Sequence, residues 1–549
     1  MRQLNLYSIF FLLCCASIPS FVFSQSNFTM SQIGPNRLLN TPWDLHYGPD
    51  DYLWVTERSR GSVVRINPET AERDQLVLIG DVYSTVGQDG LLGMALHPDF
   101  TEDQPYVYLS YTYQSSGRKQ RIVRYTFSVN EVNPNNGSLS DPITLIENLP
   151  ASNDHNSGRL IIGPDRKLYY SIGDQGGNQN SNFCNAVLSQ ILPSQAEIDQ
   201  EDWSNYPGKI LRINLDGSIP EDNPTLAGVR SHIFSYGHRN AQGIAFGTNG
   251  RLYSDEHGPD TDDEVNLIEG GMNYGWPIVA GYLDNQAYDY CNWSSVSNCL
   301  DLDYSKTSCP TGALFVEEST MVDTNYRDPI QSMFAVTDDY DFNNPICENS
   351  WLCRPNVAPS SIAVYDSDVI PDWQNSLLVT SLKRGRVYRL KLNEDGTKVL
   401  GDTIQHFYTQ NRYRDIVAAP DGRSFYIITD QGGRTSDASG FNQRSTLLNP
   451  GAILKFTYGT AVSTTNLRKE ELFQIWPNPA SDQLNITLKK SGGPIFSADL
   501  ISSTGEILRP NIPLQFGNNQ LSTNDLPAGI YFLRLASKEN SWLEKVVLY

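Results

Sequence analysis

Apolar and polar residues alternate along most of this chain in short runs, each closed by a turn. One phrase recurs: an apolar strand, a Pro-Asp or Asn-Gly turn, and a second strand ending in a polar or glycine-rich loop. Its copies are "WDLHYGPDDYLWVTER", "LLGMALHPDF" with "QPYVYLSY", "GRLIIGPDRKLYYSIGDQGG", "GIAFGTNGRLYSDEHGP", "IAVYDSDVIPDWQNSLLVTSLKRG" and "DIVAAPDGRSFYIITDQGG". Period-two alternation around Gly, Pro, Asn or Asp predicts a hairpin in each. A lone hairpin cannot bury both faces, so irregular repeats of about 40 residues or more predict blades of about four strands. Six copies predict an all-β chain with a six-bladed β-propeller over residues 25–458. Two stacked β-sandwiches are the rival arrangement. Long insertions between copies, above all residues 281–345, are predicted to be loops on one rim, where such folds keep their sites.

The two ends of the chain break this pattern. Residues 1–24 combine Arg2, the apolar run "IFFLLCCASI" and a "VFS" ending, which predicts a cleavable secretory signal. No later stretch supplies the roughly 18 apolar residues of a spanning helix. Residues 459–470 are polar and linker-like, and residues 471–549 return to short alternating strands that predict a small β-sandwich.

Composition narrows the partners. With 39% hydrophobic residues the chain is too apolar to be disordered, and a formal charge of −21 excludes nucleic acid and anionic membrane as partners. An anionic ligand would need a local basic cluster. Six cysteines follow the signal, an even number in a chain bound for an oxidising compartment. "CENSWLC" predicts a Cys347–Cys353 disulfide. The pairing of the others stays open.

Candidate chemistry gathers at strand ends. In "NDHNSGRLIIGPD", His155 lies among small polar residues, and an imidazole there suits proton abstraction from a hydroxyl. A hairpin with both ends on one rim returns Asp174 to His155, giving a base and a carboxylate to orient it. Asp154 beside His155 is expected to position a substrate or raise the basicity of its neighbour. "GHRNAQGIAF" offers Arg239, Asn240 and Gln242, "SLKRG" offers Lys383, and "NRYRDI" offers Arg412 and Arg414 pointing to one side of an extended chain. Basic residues converging in an acidic protein fit a polyanion. The loop "EHGPDTDDEVNLIEGGMNYGWPIVAGYLDN" holds Asp260, Asp262, Asp263, Glu264 and Asp284, an oxygen-rich set that favours Ca²⁺ without matching an EF-hand.

Nine stretches carry a resemblance. "GQDGLLGMALHPDF", "NDHNSGRLIIGPDRKLYYSIGDQGGNQ", "GKILRINLDGSIPEDNP", "GHRNAQGIAF", "GPDTDDEVNLI", "NYGWPIVAGYLD", "VAPSS", "SLKRG" and "NRYRDI" are collinear from about residue 30 to about residue 458. Over that span the chain resembles the soluble PQQ-dependent glucose (aldose) dehydrogenases. The resemblance implies a six-bladed propeller that binds pyrroloquinoline quinone and Ca²⁺ and oxidises the C1 hydroxyl of an aldose to the lactone. It makes His155 the general base and Asp174 its support, and it places Arg239 against quinone and sugar. Gln88, Asp154, Gln179 and Trp351 become sugar contacts, and Asn240, Asn356, Lys383, Arg412 and Arg414 cofactor contacts. Carbonyls of Gly258 and Pro259 become ligands of one calcium, and Glu264, Tyr274, Ala280, Tyr282, Asp284 and Glu318 hold a second. An external electron acceptor and a homodimer are further implications.

Departures concentrate at the sugar-facing wall: Arg354 stands where the family has tryptophan, Asn356 where it has threonine, and His257 where it has glutamine. The C-terminal segment resembles the sorting domain of type IX secretion cargo through "WPNPASDQL", "GIYFLRL" and the terminal "KVVLY". That implies export by the type IX machinery, then a secreted or cell-surface location. Two rival functions remain open. A calcium-dependent lactone hydrolase would not need Lys383, Arg412 and Arg414, and a non-enzymatic sugar-binding propeller would not need the His155–Asp174 pair.

Overall fold

The computed structural model describes residues 27–459 and 473–549 apart from short gaps at 86, 131, 134, 307, 343–349, 438–439, 490–496, 503–506 and 537–540. The expected signal at 1–24, nearly all of the expected linker, and Cys347 of the expected Cys347–Cys353 bridge lie outside the described residues. The chain divides into two compact units, 1–459 and 460–549.

In the first unit, alternating segments pair into six four-stranded antiparallel sheets among the described residues. Their first strands, in chain order, are Pro42–Tyr47, Leu91–Leu96, Ser157–Ile162, Ala241–Phe246, Pro359–Tyr365 and Tyr413–Ala418. Each touches the next, and the sixth touches the first. Apolar side chains follow the same cycle. Leu91, Met94 and Val107 pack on Trp54 and Val63 between the first two sheets, and Tyr108 and Ile122 on Leu160 and Tyr170 between the next two. The series continues round to Tyr426 and Ile428 against Leu45 and Val55. Each such residue contributes about 1.5–3 kcal/mol through removal from water. The sixth sheet is completed by the N-terminal strand Phe28–Ile33, which pairs antiparallel with Ile453–Tyr458.

All six first strands carry a register shift near their start, as between Ser157 and Leu160 or Tyr413 and Asp415. An extra residue bends a strand and re-aims its side chains, and these starts, together with the ends of the paired second strands, form one rim of the unit.

At the centre Arg159 joins five sheets. Its Nη1 donates to Asp44 Oδ1 and Asp415 Oδ2, both at 2.6 Å, Nε to the Gln242 carbonyl at 2.9 Å, and Nη2 to the Ser360 carbonyl at 3.2 Å. Burial alone would push up both carboxyls; the guanidinium and His46 hold Asp44 below its ordinary range, while Asp415 stays raised.

In the second unit, the sheet of Phe473–Trp476, Gln483–Leu488 and Gly517–Ser522 and the four-stranded sheet of Ser497–Ser502, Ile507–Pro513, Gly529–Ala536 and Ser541–Leu548 share one apolar core. Leu484 and Ile486 meet Leu500, Leu533 and Leu535 there.

Candidate active site

His155 and Asp174 flank one hairpin, formed by Ser157–Ile162 and Leu168–Ile172. Gly173 permits the return, since a side chain there would sit 2.2 Å from the His155 carbonyl. His155 itself is held at φ +46°, in the left-handed region that a residue with a side chain rarely adopts. The result is a buried pair, His155 Nδ1 to Asp174 Oδ1 at 2.7 Å.

Asp174 is fixed from three sides. Its Oδ1 also accepts the Gly176 N–H at 2.8 Å, and its Oδ2 accepts the indole N–H of Trp276 at 2.8 Å. With Nδ1–H donated to Asp174, the other imidazole nitrogen keeps its lone pair. That Nε2 lies 3.0 Å from the Gln179 amide nitrogen, whose hydrogen it accepts.

A polar ring surrounds this lone pair. Gln179 Nε2 donates to Asp154 Oδ2 at 3.1 Å, Gln88 Nε2 donates to Asp154 Oδ1 at 2.6 Å, and Asn240 Nδ2 donates to Gln88 Oε1 at 3.3 Å. Arg239 closes it, donating to Gln179 Oε1 at 2.6 Å and to the His257 carbonyl at 3.1 Å, with its guanidinium 5.2 Å over the Trp276 ring. Among the described residues, buried Arg239 Nε has no hydrogen-bond partner. Glu256 orders the Arg239–Asn240 turn by accepting both backbone N–H groups and His238 Nδ1–H.

The expected cations lie on the same rim. Lys383 Nζ and the Arg412 guanidinium each stand 5.7 Å from the ring centroid of the half-exposed Trp351. Lys383 donates to the Arg354 carbonyl and to Asn356 Oδ1. Burial, assisted by neighbouring Arg384, pushes Lys383 down to about 7. Arg412 and Arg414 share the carboxylate of Asp430, Nε to oxygen at 3.0 and 2.9 Å. His257 lies between this cluster and His155: burial, then proximity to His155 and to the guanidinium groups of Arg239 and Arg414, hold it well below its ordinary value. Its Nε2–H donates to the Pro359 carbonyl at 2.6 Å.

The acidic loop divides in two. At Gly258 a side chain would lie 1.9 Å from the Thr261 carbonyl oxygen and 2.4 Å from that of Asp262, so the turn packs carbonyl oxygens as only glycine allows. Further on, residues 280–285 bring two acids together: Glu264 accepts the Gly281 N–H at 2.8 Å, and Glu318 accepts those of Ala280 at 3.1 Å and Asn285 at 2.9 Å. Burial raises Glu264 well above its usual range and Glu318 to about 7, with Asp284 adding to the second. Tyr282 accepts the Asp284 N–H, and the Tyr274 ring points away to stack on His238 at 4.7 Å. Among the described residues, no three His, Cys, Asp or Glu side chains group as a metal cage. Pro259 and Asp260 instead line a cavity between Gln179 and the 281–345 insertion.

Several neighbours escaped sequence reasoning. Trp276 and Glu256 act through contacts distant in sequence, and the Trp43 ring meets Arg414 at 4.4 Å and Arg58 at 5.7 Å. Arg58 was signalled by position, since it follows the second strand of its copy as Asp174 and Lys383 do in theirs.

Residues 39–327 and 318–436 match the Glucose / Sorbosone dehydrogenase family, and the chain belongs to it. More particularly, it is 43% identical over 433 residues to quinoprotein glucose dehydrogenase B of Acinetobacter calcoaceticus, covering 76% of this chain and 89% of that one. It is 27% identical over 404 residues to an aldose sugar dehydrogenase of Escherichia coli, covering 72% and 88%. The PQQ-bound aldose sugar dehydrogenase of Streptomyces coelicolor superposes with a TM-score of 0.53 at 26% identity, over 78% of this chain and 98% of that one. Residues 474–549 match the secretion system C-terminal sorting domain.

Proposed function

We propose that this protein is a PQQ- and Ca²⁺-dependent dehydrogenase that oxidises the C1 hydroxyl of an aldose to the lactone. Its six sheets are then the blades of one propeller, and its C-terminal unit is a β-sandwich that directs type IX export to the cell surface or beyond. The carrying observation is His155, bonded to Asp174 through Nδ1 and presenting Nε2 to Gln179 and, beyond it, Arg239.

Bound PQQ supplies a quinone that accepts hydride and passes electrons to an external acceptor. Its carboxylates would be held by Lys383, Arg412, Arg414, Asn240 and Asn356. The donor chemistry fits: these cations are a local exception in a chain of charge −21, and Arg239 has a buried N–H that no described residue accepts. Ca²⁺ would sit against the carbonyls of Gly258 and Pro259. A second ion would sit at Glu264, Ala280, Tyr282, Asp284 and Glu318 with the Tyr274 carbonyl, where it offsets the buried acids.

His155 Nε2 takes the proton of the C1 hydroxyl, and Asp174 stabilises the resulting imidazolium. Gln88, Asp154 and Gln179 exchange their mutual hydrogen bonds for sugar hydroxyls. Arg239 places positive charge where negative charge develops. Trp351 covers the cationic cluster.

The test is reconstitution of purified apoprotein with PQQ and Ca²⁺ in a dye-reduction assay across an aldose panel. Reduction that requires both additions supports the assignment. Inertness towards all aldoses, or lactone cleavage without PQQ, overturns it.

A further inference from the structure

The first hairpin brings one more cation to the rim. Trp43 lies at the shifted start of Pro42–Tyr47, and Arg58 directly follows the paired strand Leu53–Glu57. The backbone of Arg58 is fixed between two sheets: its N–H donates to the Thr41 carbonyl at 2.9 Å, and its carbonyl accepts the Leu91 N–H at 3.0 Å. A side chain at Gly90 would lie 2.3 Å from that carbonyl oxygen, so only glycine admits the approach.

The Arg58 guanidinium is only partly engaged. Its Nη1 donates to the carbonyls of Gly87 and, at 2.9 Å, Asp89, the residues that flank Gln88. Those are the hydrogen bonds of this half-buried side chain among the described residues, so Nε and Nη2 keep their hydrogens for another acceptor.

Trp43 joins Arg58 to the cationic cluster. The indole is 2% exposed, and its ring centroid stands 4.4 Å from the Arg414 guanidinium and 5.7 Å from that of Arg58. Attraction of both cations to one ring offsets part of their mutual repulsion. That repulsion is felt: burial, then the charge of Arg414, lowers Arg58 below its ordinary range.

Carboxylate is scarce around them. Asp430 is shared by Arg412 and Arg414. Asp89, the other acid whose charge reaches Arg58, pairs with Arg118 at 3.1 Å and accepts the Thr85 N–H at 2.7 Å. Four guanidinium groups thus meet two carboxylates. Partly buried positive charge in excess of its counter-ions destabilises a fold until an anion offsets it.

We propose that Arg58 is a further cofactor-binding cation, which takes a carboxylate of PQQ together with Arg414, and that Trp43 is the positioning residue that holds the two guanidinium groups side by side. The identity of the anion rests on the dehydrogenase reading, whereas the surplus of positive charge does not.

Calorimetry on the full-length apoprotein in Ca²⁺ tests this with two titrants, PQQ and benzene-1,3,5-tricarboxylate, a tricarboxylate without a quinone. Arg58→Met should weaken PQQ binding by roughly tenfold to hundredfold. Arg58→Lys, which keeps the charge, should bind within about threefold of the wild type. Trp43→Leu should weaken binding by roughly threefold to tenfold, and Trp43→Phe, which keeps an aromatic face, should restore most of it. Wild-type affinity in Arg58→Met overturns the proposal. So does an Arg58→Lys variant as weak as Arg58→Met, because Arg58 would then be only a staple for the turn around Gln88. Equal affinities in Trp43→Leu and Trp43→Phe remove Trp43 from its positioning role. A wild-type chain that ignores PQQ yet binds the tricarboxylate, more weakly in Arg58→Met, keeps Arg58 as an anion-binding cation and loses the dehydrogenase reading; binding of neither titrant overturns both.

Discussion

The indole N–H of Trp276 donates to Asp174 Oδ2 at 2.8 Å while its ring lies 5.2 Å beneath the Arg239 guanidinium. One side chain thus orients the carboxylate behind His155 and the cation opposite it. Trp276→Phe keeps the ring and removes the donor. A hydrogen bond to a charged group contributes about 1.5–3 kcal/mol, so kcat should fall roughly tenfold with PQQ affinity retained. Steady-state kinetics beside cofactor titration would reveal this split, and a loss of PQQ binding would contradict it.

Removal of the proposed base, His155, should be more severe. General-base catalysis contributes about 10²- to 10⁴-fold, so His155→Ala should lose that much turnover while binding PQQ as the wild type does. An unchanged rate would refute the role of His155.

With Lys383 as a proposed contact of the PQQ carboxylates, cofactor uptake should depend on pH. Burial pushes its ammonium down to about 7, so the free site loses this charge as pH rises through neutrality. A tricarboxylate favours the charged form. PQQ affinity should therefore fall between about pH 6 and about pH 8, with proton capture on binding at the upper end. Calorimetry in buffers of different ionisation enthalpy measures that capture. Lys383→Met should abolish it and weaken binding by roughly 10- to 100-fold.

The acids near residues 280–285 predict metal-dependent stability. Ca²⁺ should raise the melting temperature, chelation should reverse the rise, and Glu318→Gln should reduce it by weakening one ligand. Thermal scans with and without chelator give the comparison; a melting temperature indifferent to calcium would remove the metal from this position.

Arg159 should be among the costliest residues to replace. Arg159→Met leaves Asp44 and Asp415 buried without their shared partner, a loss of about 3–5 kcal/mol. Denaturant unfolding should show it as a lower midpoint.

Much of this was legible because it is local. Alternation of period two around a turn dictates a hairpin, and His155 and Asp174 stand at the two ends of a single one. Arg412 and Arg414 sit two apart on an extended strand start, and they do converge, on Asp430. Long-range partners carried no such signal: the Trp276–Asp174 bond spans 102 residues and the Cys184–Cys299 bridge 115. Composition told that cysteines would pair, yet only the folded rim decides which. Arg239 was readable as a cation before a strand, whereas the Glu256 clamp beneath it required knowing which strand ends adjoin.

The pairing of Phe28–Ile33 with Ile453–Tyr458 also sets an order of events in biosynthesis. No circle can be sealed until residue 458 has emerged from the ribosome, because its last sheet borrows a strand from the opposite terminus. A growing polypeptide therefore stays open and threadable for almost the entire length of this unit, and a truncation that spares every rim residue but removes six amino acids near either end would unlatch the whole wheel.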